Sequence, residues 1–367
     1  MRTSSISWWA GLFLLVGTLT AAEAAGPLTQ IGPWLSLGSS AHDLVIKDTL
    51  AYVVTDVGLR IVDIANPAAP VGRGAVKLGG KSYGVALQWP YVFTVNIATG
   101  FQVVDVSNPD APLVVATLAV RRSAWDVAVK DDVAYVASMG GQLVLIDIAD
   151  PRRPRVLGSL GLPAWKAPGS DAPNIKKLNA YVTTGNAKDT GVAVVGPWLF
   201  TLDWGYGRFY AYDVTDARRP RFAGTHHAPY LLRVEIGPEE ATAYALSAFG
   251  STSGVYSVPL ARLNPMISTS HATCADCGYF ASPTTDFGGL AVSANGRYVM
   301  YIAGKRGVVQ VLDVTDPTRM RDAGSVPIPT HYARLAQSMG IAQFGNHIIA
   351  AGAELGLGVF QFPGLSD

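Results

Sequence analysis

Short apolar, β-branched runs alternate with turn-forming residues along most of the chain. Each first run ends in a break rich in Gly, Pro, Asn or Asp, and a second run, a glycine and a third run follow. Runs bounded in this way are typical of β-strands and hairpins, and no part of the repeat region keeps a helical period. The pattern predicts an all-β chain of seven units. The first runs begin at Leu44, Val85, Val127, Val192, Val234, Leu290 and Ile341.

The units are copies of one repeat. Asp63, Asp105 and Asp147 end the third run of the first three units and lie 42 residues apart, which is the length of one four-stranded propeller blade. Asp213 and Asp313 end the third run of later units in the same way, but the intervals between successive Asp residues are longer, so the later units contain insertions. One repeat cannot bury both faces of its sheet, so neighbouring repeats must stack around an axis. We therefore predict a seven-bladed β-propeller.

The ends of the chain predict how the ring closes. The last unit stops after residues 357–362 and lacks an outer strand, whereas an extra apolar run at residues 33–37 precedes the first complete unit. We expect these two segments to pair, because an unpaired edge would be exposed to aggregation. The N-terminal strand would then close the last blade.

In four units the third apolar run resembles the repeat of the LVIVD family of β-propellers. These runs are residues 59–63, 101–105, 143–147 and 309–313. The resemblance implies a propeller fold and an exported protein, and it implies no catalytic residue. Two units depart from the pattern, with Pro259 and Gln361 where Asp is expected. A side chain repeated in so many units is better suited to folding than to catalysis, so we expect its carboxylate to accept backbone N–H groups in the turn to the outer strand. These carboxylates are Asp63, Asp105, Asp147, Asp213 and Asp313.

The N-terminus predicts export. Arg2 is followed by an apolar stretch at residues 8–20 and by Ala22-Glu23-Ala24, the pattern of a signal peptide cleaved after Ala24. The apolar stretch is short for a transmembrane span, although an uncleaved anchor stays open. We therefore divide the chain into a signal peptide, 1–24, and a single propeller domain, 25–367. The mature protein should be periplasmic or extracellular and monomeric, with no transmembrane segment.

Composition narrows the function. The formal net charge is +1 and 49% of the residues are hydrophobic, which does not fit a nucleic-acid-binding protein.

The two cysteines, Cys274 and Cys277, do not form a haem-attachment motif, because that motif requires His directly after the second Cys and this chain has Gly278 there. A zinc site would need further ligands, and a redox-active pair normally opens a helix. In an oxidising compartment we expect the pair to form a small structural disulfide.

Connectivity predicts where binding residues gather. In a propeller, the link from one blade to the next lies on the same face as the hairpin between the second and third strands, and we call this the loop face. Two insertions, near 161–189 and 265–286, read as links of this kind, and long loops on a rigid scaffold often carry function. The inner strands begin at the channel mouth on this face, which is the expected place for a ligand. The candidate ligand-binding residues there are His42, Asp43, Tyr83, Trp125, Asp126 and Arg233.

The histidines raise a metal hypothesis. His42, His226, His227 and His331 all fall in loop-face links, and imidazole is a ligand for copper and similar ions. No two of them have a spacing that dictates shared ligation, so we expect no cofactor.

No sequence motif of a hydrolase or nucleotide-binding enzyme occurs. The favoured function is a noncatalytic scaffold that binds a protein, glycan or small ligand. The alternative is a periplasmic enzyme or electron-transfer component with a metal or cofactor at the channel mouth.

Two arginine clusters occupy equivalent turns between the third and fourth strands of units three and four. These turns lie opposite the loop face, on what we call the arginine face. Six guanidinium groups close together could dock an acidic protein or anionic headgroups. The alternative is a solvated rim partly neutralised by Asp150 and Asp216. The six residues are Arg152, Arg153, Arg155, Arg218, Arg219 and Arg221.

Overall fold

A computed structural model gives the fold of most of the chain. It describes residues 27–120, 124–138, 142–161, 191–203, 208–227, 231–239, 241–247, 253–262, 269–270, 274, 276–282, 288–303, 307–329, 340–352 and 354–366. The predicted signal peptide and almost all of the 161–189 insertion lie outside these residues. Within the described part, no helix is long and apolar enough to cross a membrane.

The chain forms a seven-bladed β-propeller, as predicted, with antiparallel blades built in sequence order from the channel outwards. A short strand, β1 (Thr29–Gln30), precedes the ring. Blade 1 contains β2 (Ala41–Lys47), β3 (Leu50–Thr55), β4 (Gly58–Asp63) and β5 (Val71–Lys77). Blade 2 contains β6 (Ser82–Gln88), β7 (Tyr91–Asn96), β8 (Gly100–Asp105) and β9 (Leu113–Leu118). Blade 3 contains β10 (Ala124–Lys130), β11 (Val133–Ser138), β12 (Gln142–Asp147) and β13 (Arg155–Gly161).

The later blades follow the same plan with one addition. Blade 4 contains β14 (Val192–Val195), β15 (Trp198–Asp203), β16 (Arg208–Asp213) and β17 (Arg221–His227). Blade 5 contains β18 (Leu231–Ile236), β19 (Thr242–Ser247) and β20 (Gly254–Pro259), then β21 (Thr269–Ser270), which joins blade 4, and its own outer strand β22 (Gly278–Ala281). Blade 6 contains β23 (Leu290–Val292), β24 (Tyr298–Ala303), β25 (Val308–Asp313) and β26 (Arg321–Pro327). Blade 7 contains β27 (Ile341–Phe344), β28 (His347–Ala351) and β29 (Leu357–Gln361).

The hydrophobic core is divided among the seams between blades. Seven clusters of buried apolar side chains each combine residues from two consecutive blades, including the seam between blades 7 and 1. Because both faces of a blade are covered in this way, the middle strands are buried along almost their whole length instead of on alternate residues. In β11, for example, all six residues are buried.

The ring closes through the N-terminal strand, as predicted, but at a different register. β1 pairs antiparallel with β29, where Thr29 lies opposite Gln361, and Ile31 N donates to Val359 O at 2.8 Å. The expected strand at 33–37 is reduced to one bridge between Leu35 and Leu357. Two features between the paired stretches explain the break: Gly32 adopts φ 65°, and the following Pro33 has no N–H to donate.

The recurrent Asp shapes the turn into each outer strand, which confirms the structural role predicted for it. In five blades the carboxylate accepts the N–H of the residue two positions later, at 2.8 to 3.1 Å. The outer strand of the same blades then carries a β-bulge at an equivalent place. A bulge twists an exposed edge away from other strands, so the device also discourages edge-to-edge pairing.

The cysteine-containing insertion does not link two blades, contrary to the prediction. The outer strand of blade 5 is Gly278–Ala281, so residues 260–277 connect its third and fourth strands. Blade 5 has Pro259 in place of the turn-forming Asp, and a longer excursion replaces the tight turn. Within it, β21 pairs in parallel with β17 and adds a fifth strand to blade 4.

Candidate functional site

Three aromatic side chains form a row at the loop-face ends of the inner strands of blades 1, 2 and 3. The register shifts by one residue there in β2, β6 and β10, and the additional residues are His42, Tyr83 and Trp125. The ring centroids of His42 and Tyr83 are 4.9 Å apart, and those of Tyr83 and Trp125 are 4.5 Å apart. His42 and Tyr83 are buried, whereas Trp125 is half-buried. The predicted aromatic residues therefore meet, and Trp125 is the accessible end of the row.

An ionic network fixes the other end of the aromatic row. His42 Nε2 lies 2.7 Å from Asp56 Oδ1, and Lys81 Nζ lies 3.2 Å from the same oxygen. Burial opposes ionisation of Asp56, but hydrogen bonds and charges from His42 and Lys81 hold the pKa of this carboxyl below its ordinary value. An ionised Asp56 thus anchors the His42 ring against Tyr83.

Asp56 and Lys81 were not among the residues predicted for the site. Asp56 lies in the hairpin between the second and third strands of blade 1, and Lys81 ends the link to blade 2. Both elements belong to the loop face, so the connectivity rule could have included them. Sequence spacing alone does not show that His42 and Lys81 both reach the Asp56 carboxylate.

Two predicted site carboxylates join neighbouring blades. Asp43 accepts N–H groups from Leu44 at 2.9 Å and from Val85 of blade 2 at 3.3 Å. Asp126 accepts N–H groups from Val127 at 2.9 Å and from Val192 of blade 4 at 3.0 Å. Both carboxylates therefore hold the inner strands in place around the channel mouth. Their contact with a ligand stays a prediction.

Glycines make room for these carboxylates. A Cβ atom on Gly84 of blade 2 would lie 2.7 Å from Asp126 Oδ1, and one on Gly340 of blade 7 would lie 2.7 Å from Asp43 Oδ1. Both distances are too short for a real contact. Each Asp therefore fits beside a glycine of the preceding blade while it binds the backbone of the following one.

The channel contains a cavity of about 140 Å³. Carboxylates of Asp43, Asp126 and Glu235 border it together with glycine and aliphatic residues at the inner strands. Among the described residues, no group of three or more His, Cys, Asp or Glu could hold a metal ion. The side chains of His226, His227 and Arg233 lie outside the described part of the structure, as do all atoms of His331.

On the arginine face, three of the six predicted arginines bind carboxylates. Arg152 Nη2 donates to Asp105 of blade 2 at 2.9 Å, and Arg218 donates to Asp132 and Asp147 of blade 3. Arg155 donates to Asp147 within its own blade. Hydrogen bonds from Arg218 and the Ala149 N–H, together with Arg155, lower the pKa of Asp147 to about 2 although burial opposes the shift.

The other three arginines of this face have a different setting. The side chains of Arg153, Arg219 and Arg221 are exposed and make no hydrogen bond or ion pair with a described residue. The arginine face therefore combines pairs that brace neighbouring blades with a few solvated guanidinium groups. Docking of a partner there stays a prediction.

The two cysteines lie within bonding distance of each other, with their Cα atoms 5.3 Å apart. They precede the outer strand of blade 5 and belong to the excursion between its third and fourth strands. This position separates them from the inter-blade links of the loop face. The pair therefore braces the excursion and contributes nothing to the aromatic row.

Comparison with known proteins supports the repeat assignment. The family model of the LVIVD repeat matches residues 38–77, 79–119 and 121–160, which coincide with the first three blades. Blades 1 to 3 thus match the LVIVD repeat. The resemblance inferred from the sequence is confirmed. No curated protein matches the chain significantly by sequence.

Solved structures extend the similarity to the whole ring. The WD40 β-propeller domain of Doa1 superposes with a TM-score of 0.64 at 11% identity, covering 92% of this chain and 97% of that domain. A candidate 6-phosphogluconolactonase from Bacteroides fragilis superposes with a TM-score of 0.60 at 10% identity, covering 85% of this chain and 97% of that protein. At such identities the similarity shows the fold alone.

Proposed function

We propose that this LVIVD-repeat propeller is an exported, noncatalytic scaffold that binds a protein, glycan or small ligand on its loop face. The observation that carries the proposal is the aromatic row of His42, Tyr83 and Trp125 at the channel mouth. Aromatic side chains supply a large contact area with little loss of side-chain freedom, and concave mouths are the usual place for ligands.

The rigidity of the site supports the same proposal. Asp56 holds the His42 ring, and Asp43 and Asp126 fix the inner strands that carry the row. A site held in its binding geometry loses little entropy when a ligand arrives. Blades 1 to 3 thus offer a prepared surface whose accessible member is Trp125.

Binding assays with matched tryptophan variants test the proposal. The mature protein would be screened against an array of glycans, a fragment collection and a peptide library, and dissociation constants of the hits measured by calorimetry. We expect Trp125→Ala to weaken binding at least about tenfold, because it removes the accessible ring of the row.

Trp89→Ala is the matched control. Trp89 is 48% exposed in the turn between the first and second strands of blade 2, on the opposite face. Its removal should leave binding unchanged, as should Arg153→Ala and Arg219→Ala. If these three variants weakened binding while Trp125→Ala did not, the site would belong to the arginine face.

Export to the periplasm or beyond is the second part of the proposal. It is supported by the cysteine pair at disulfide distance and by the LVIVD repeats. Intact mass of protein expressed with its own leader, alkylated without reductant, tests it. We expect a chain that begins at Ala25 with no alkylated cysteine. A retained leader or two labelled cysteines would contradict export or the disulfide, respectively.

A further inference from the structure

Two exposed apolar side chains stand on equivalent hairpins of blades 1 and 2. Val57 lies between β3 and β4 and is 43% exposed, and Ile97 lies between β7 and β8 and is 44% exposed. Both hairpins belong to the loop face. Most large apolar residues of the described part are buried, so two exposed ones on equivalent hairpins of neighbouring blades are an indication of a contact surface.

The link between blades 1 and 2 is bonded to both hairpins. Residues 78–81 form the link from blade 1 to blade 2. Leu78 N donates to Val57 O at 3.3 Å, and Asn96 Nδ2 donates to Leu78 O at 2.7 Å. Two glycines in this link, Gly79 and Gly80, have no side chain to stand above it. The link thus bonds to the hairpin that carries Val57 and to the hairpin that carries Ile97, and we call Val57, residues 78–81 and Ile97 the blade 1–2 surface.

Hydrogen bonds hold both hairpins rigid. Thr55 Oγ1 accepts N–H groups from Val57 at 3.3 Å and Gly58 at 3.2 Å. Asn96 Oδ1 accepts N–H groups from Ala98 at 2.8 Å and Thr99 at 2.6 Å. A partner that covers Val57 and Ile97 would therefore not have to order these hairpins on binding.

The charge of the surface indicates the chemistry of its partner. Lys81 is 54% exposed at the end of the link, and Lys77 is exposed at the end of β5, opposite Gly58. The nearby carboxylate is Asp56, which His42 also contacts. Lys81 already pairs with Asp56 at 3.2 Å, so the excess positive charge of this surface is that of Lys77, and a partner carboxylate would be attracted to it.

We infer that the blade 1–2 surface docks a protein segment that presents apolar side chains on both sides of an aspartate or glutamate. The inference rests on the proposed use of the loop face for binding and narrows the ligand class to an acidic, apolar peptide. A glycan offers no apolar side chains to cover Val57 and Ile97 together. The experiment must distinguish binding of such a peptide from docking of an anionic bilayer.

Peptide display provides the test. A library of random 12-residue peptides would be selected on the mature protein, and the enriched peptides synthesised and measured by fluorescence anisotropy. We expect the enriched peptides to contain Asp or Glu flanked by Leu, Ile, Val or Phe. The double variant Val57→Ser/Ile97→Ser should bind these peptides at least tenfold more weakly. Selection on Lys77→Glu/Lys81→Glu should enrich Lys or Arg at the former acidic position.

Two further variants and one measurement separate a specific loss of peptide binding from a general effect on the protein. Val71→Ser/Leu113→Ser removes two apolar side chains of the arginine-face end, 58% and 61% exposed, and should leave peptide binding unchanged. Lys77→Glu alone leaves the contact of Lys81 with Asp56 intact and should still weaken binding. Circular dichroism melting of each variant verifies the fold.

The remaining outcomes would overturn the inference. If Trp125→Ala weakened binding of the selected peptides but the Val57/Ile97 variant did not, the proposed function would stand and this surface would be excluded. If no acidic peptide were enriched, or if phosphatidylglycerol vesicles bound through Val57 and Ile97 and the peptides did not, the assignment of a protein partner would be wrong.

Discussion

The pair of Asp147 with Arg218 should contribute measurably to the stability of the ring, and Asp147→Asn tests this. Asp147 is 4% exposed and its carboxylate accepts hydrogen bonds from Arg218 of the next blade and from Arg155. Asparagine keeps an oxygen for the Ala149 N–H, so the turn should be preserved while the charge is removed.

The magnitude follows from the pKa of Asp147. Lowering it from 3.8 to about 2 corresponds to about 2.5 kcal/mol at 1.36 kcal/mol per unit. Arg218 and Arg155 are 39% and 77% exposed, so water and salt screen the interaction. We therefore expect Asp147→Asn to lower the free energy of unfolding by about 1 kcal/mol at pH 7.

The pH dependence gives the decisive measurement. A carboxyl whose pKa is lower in the folded state stabilises the protein above its unfolded pKa, and this contribution is lost as the pH falls through the folded pKa. Urea unfolding at pH 7 and at pH 2.5 should therefore show a difference between wild type and Asp147→Asn that shrinks at the lower pH. Asp313→Asn is the matched control, because Asp313 accepts the equivalent backbone N–H and has no ion pair with a described residue. An equal loss in both variants, or a difference that does not change with pH, would refute the reasoning.

Two further predictions concern the seams and the closure. Tyr135→Phe should lower the free energy of unfolding by about 1 kcal/mol, because the Tyr135 hydroxyl donates to Ala217 O at 2.6 Å. Tyr52→Phe should be neutral, since the buried Tyr52 hydroxyl has no partner among the described residues, and urea unfolding compares the two variants. Deleting residues 27–35 should expose the edge of β29 and cause aggregation, measured by size-exclusion chromatography with light scattering, and a variant that stayed monomeric with unchanged melting would contradict the closure.

The blade count was readable from the sequence because each blade repeats the same local chemistry. Apolar runs mark strands buried on both faces, and glycines mark hairpins, where Gly100 and Gly356 indeed adopt φ 90° and 91°. The register of the closing strand was not readable. It depends on the left-handed Gly32 and on the ring of Trp34, which packs 2.7 Å from the position that a Cβ on Gly358 would occupy.

The cysteine excursion was misplaced for a related reason. Assignment of strands in blade 5 relied on an Asp that this blade lacks, so the third strand had no marked end and the outer strand was counted as part of a link. Pairing of β21 with blade 4 is a contact between distant parts of the chain, and no local pattern reports it. Where the repeat device is missing, periodicity no longer assigns a segment to one face.

The candidate site shows the same division between local and long-range information. Connectivity correctly brought His42, Tyr83 and Trp125 together, because equivalent positions on consecutive blades must be neighbours. It could not show that Asp43 and Asp126 bind the backbone of the following blade, since this depends on the distance between inner strands across the channel mouth. Residues selected as ligand contacts can therefore also hold the ring together.

Comparison of equivalent positions within the chain argues for function on the loop face. The turn Asp is the same in five blades and makes the same backbone hydrogen bond each time, as a shared folding requirement demands. The bulge position at the channel mouth instead holds His, Tyr, Trp and Leu in blades 1, 2, 3 and 5, although the backbone shift is common to all four. Because the fold imposes no single side chain there, three adjacent aromatic residues in blades 1 to 3 support the proposed contact with a ligand on this face.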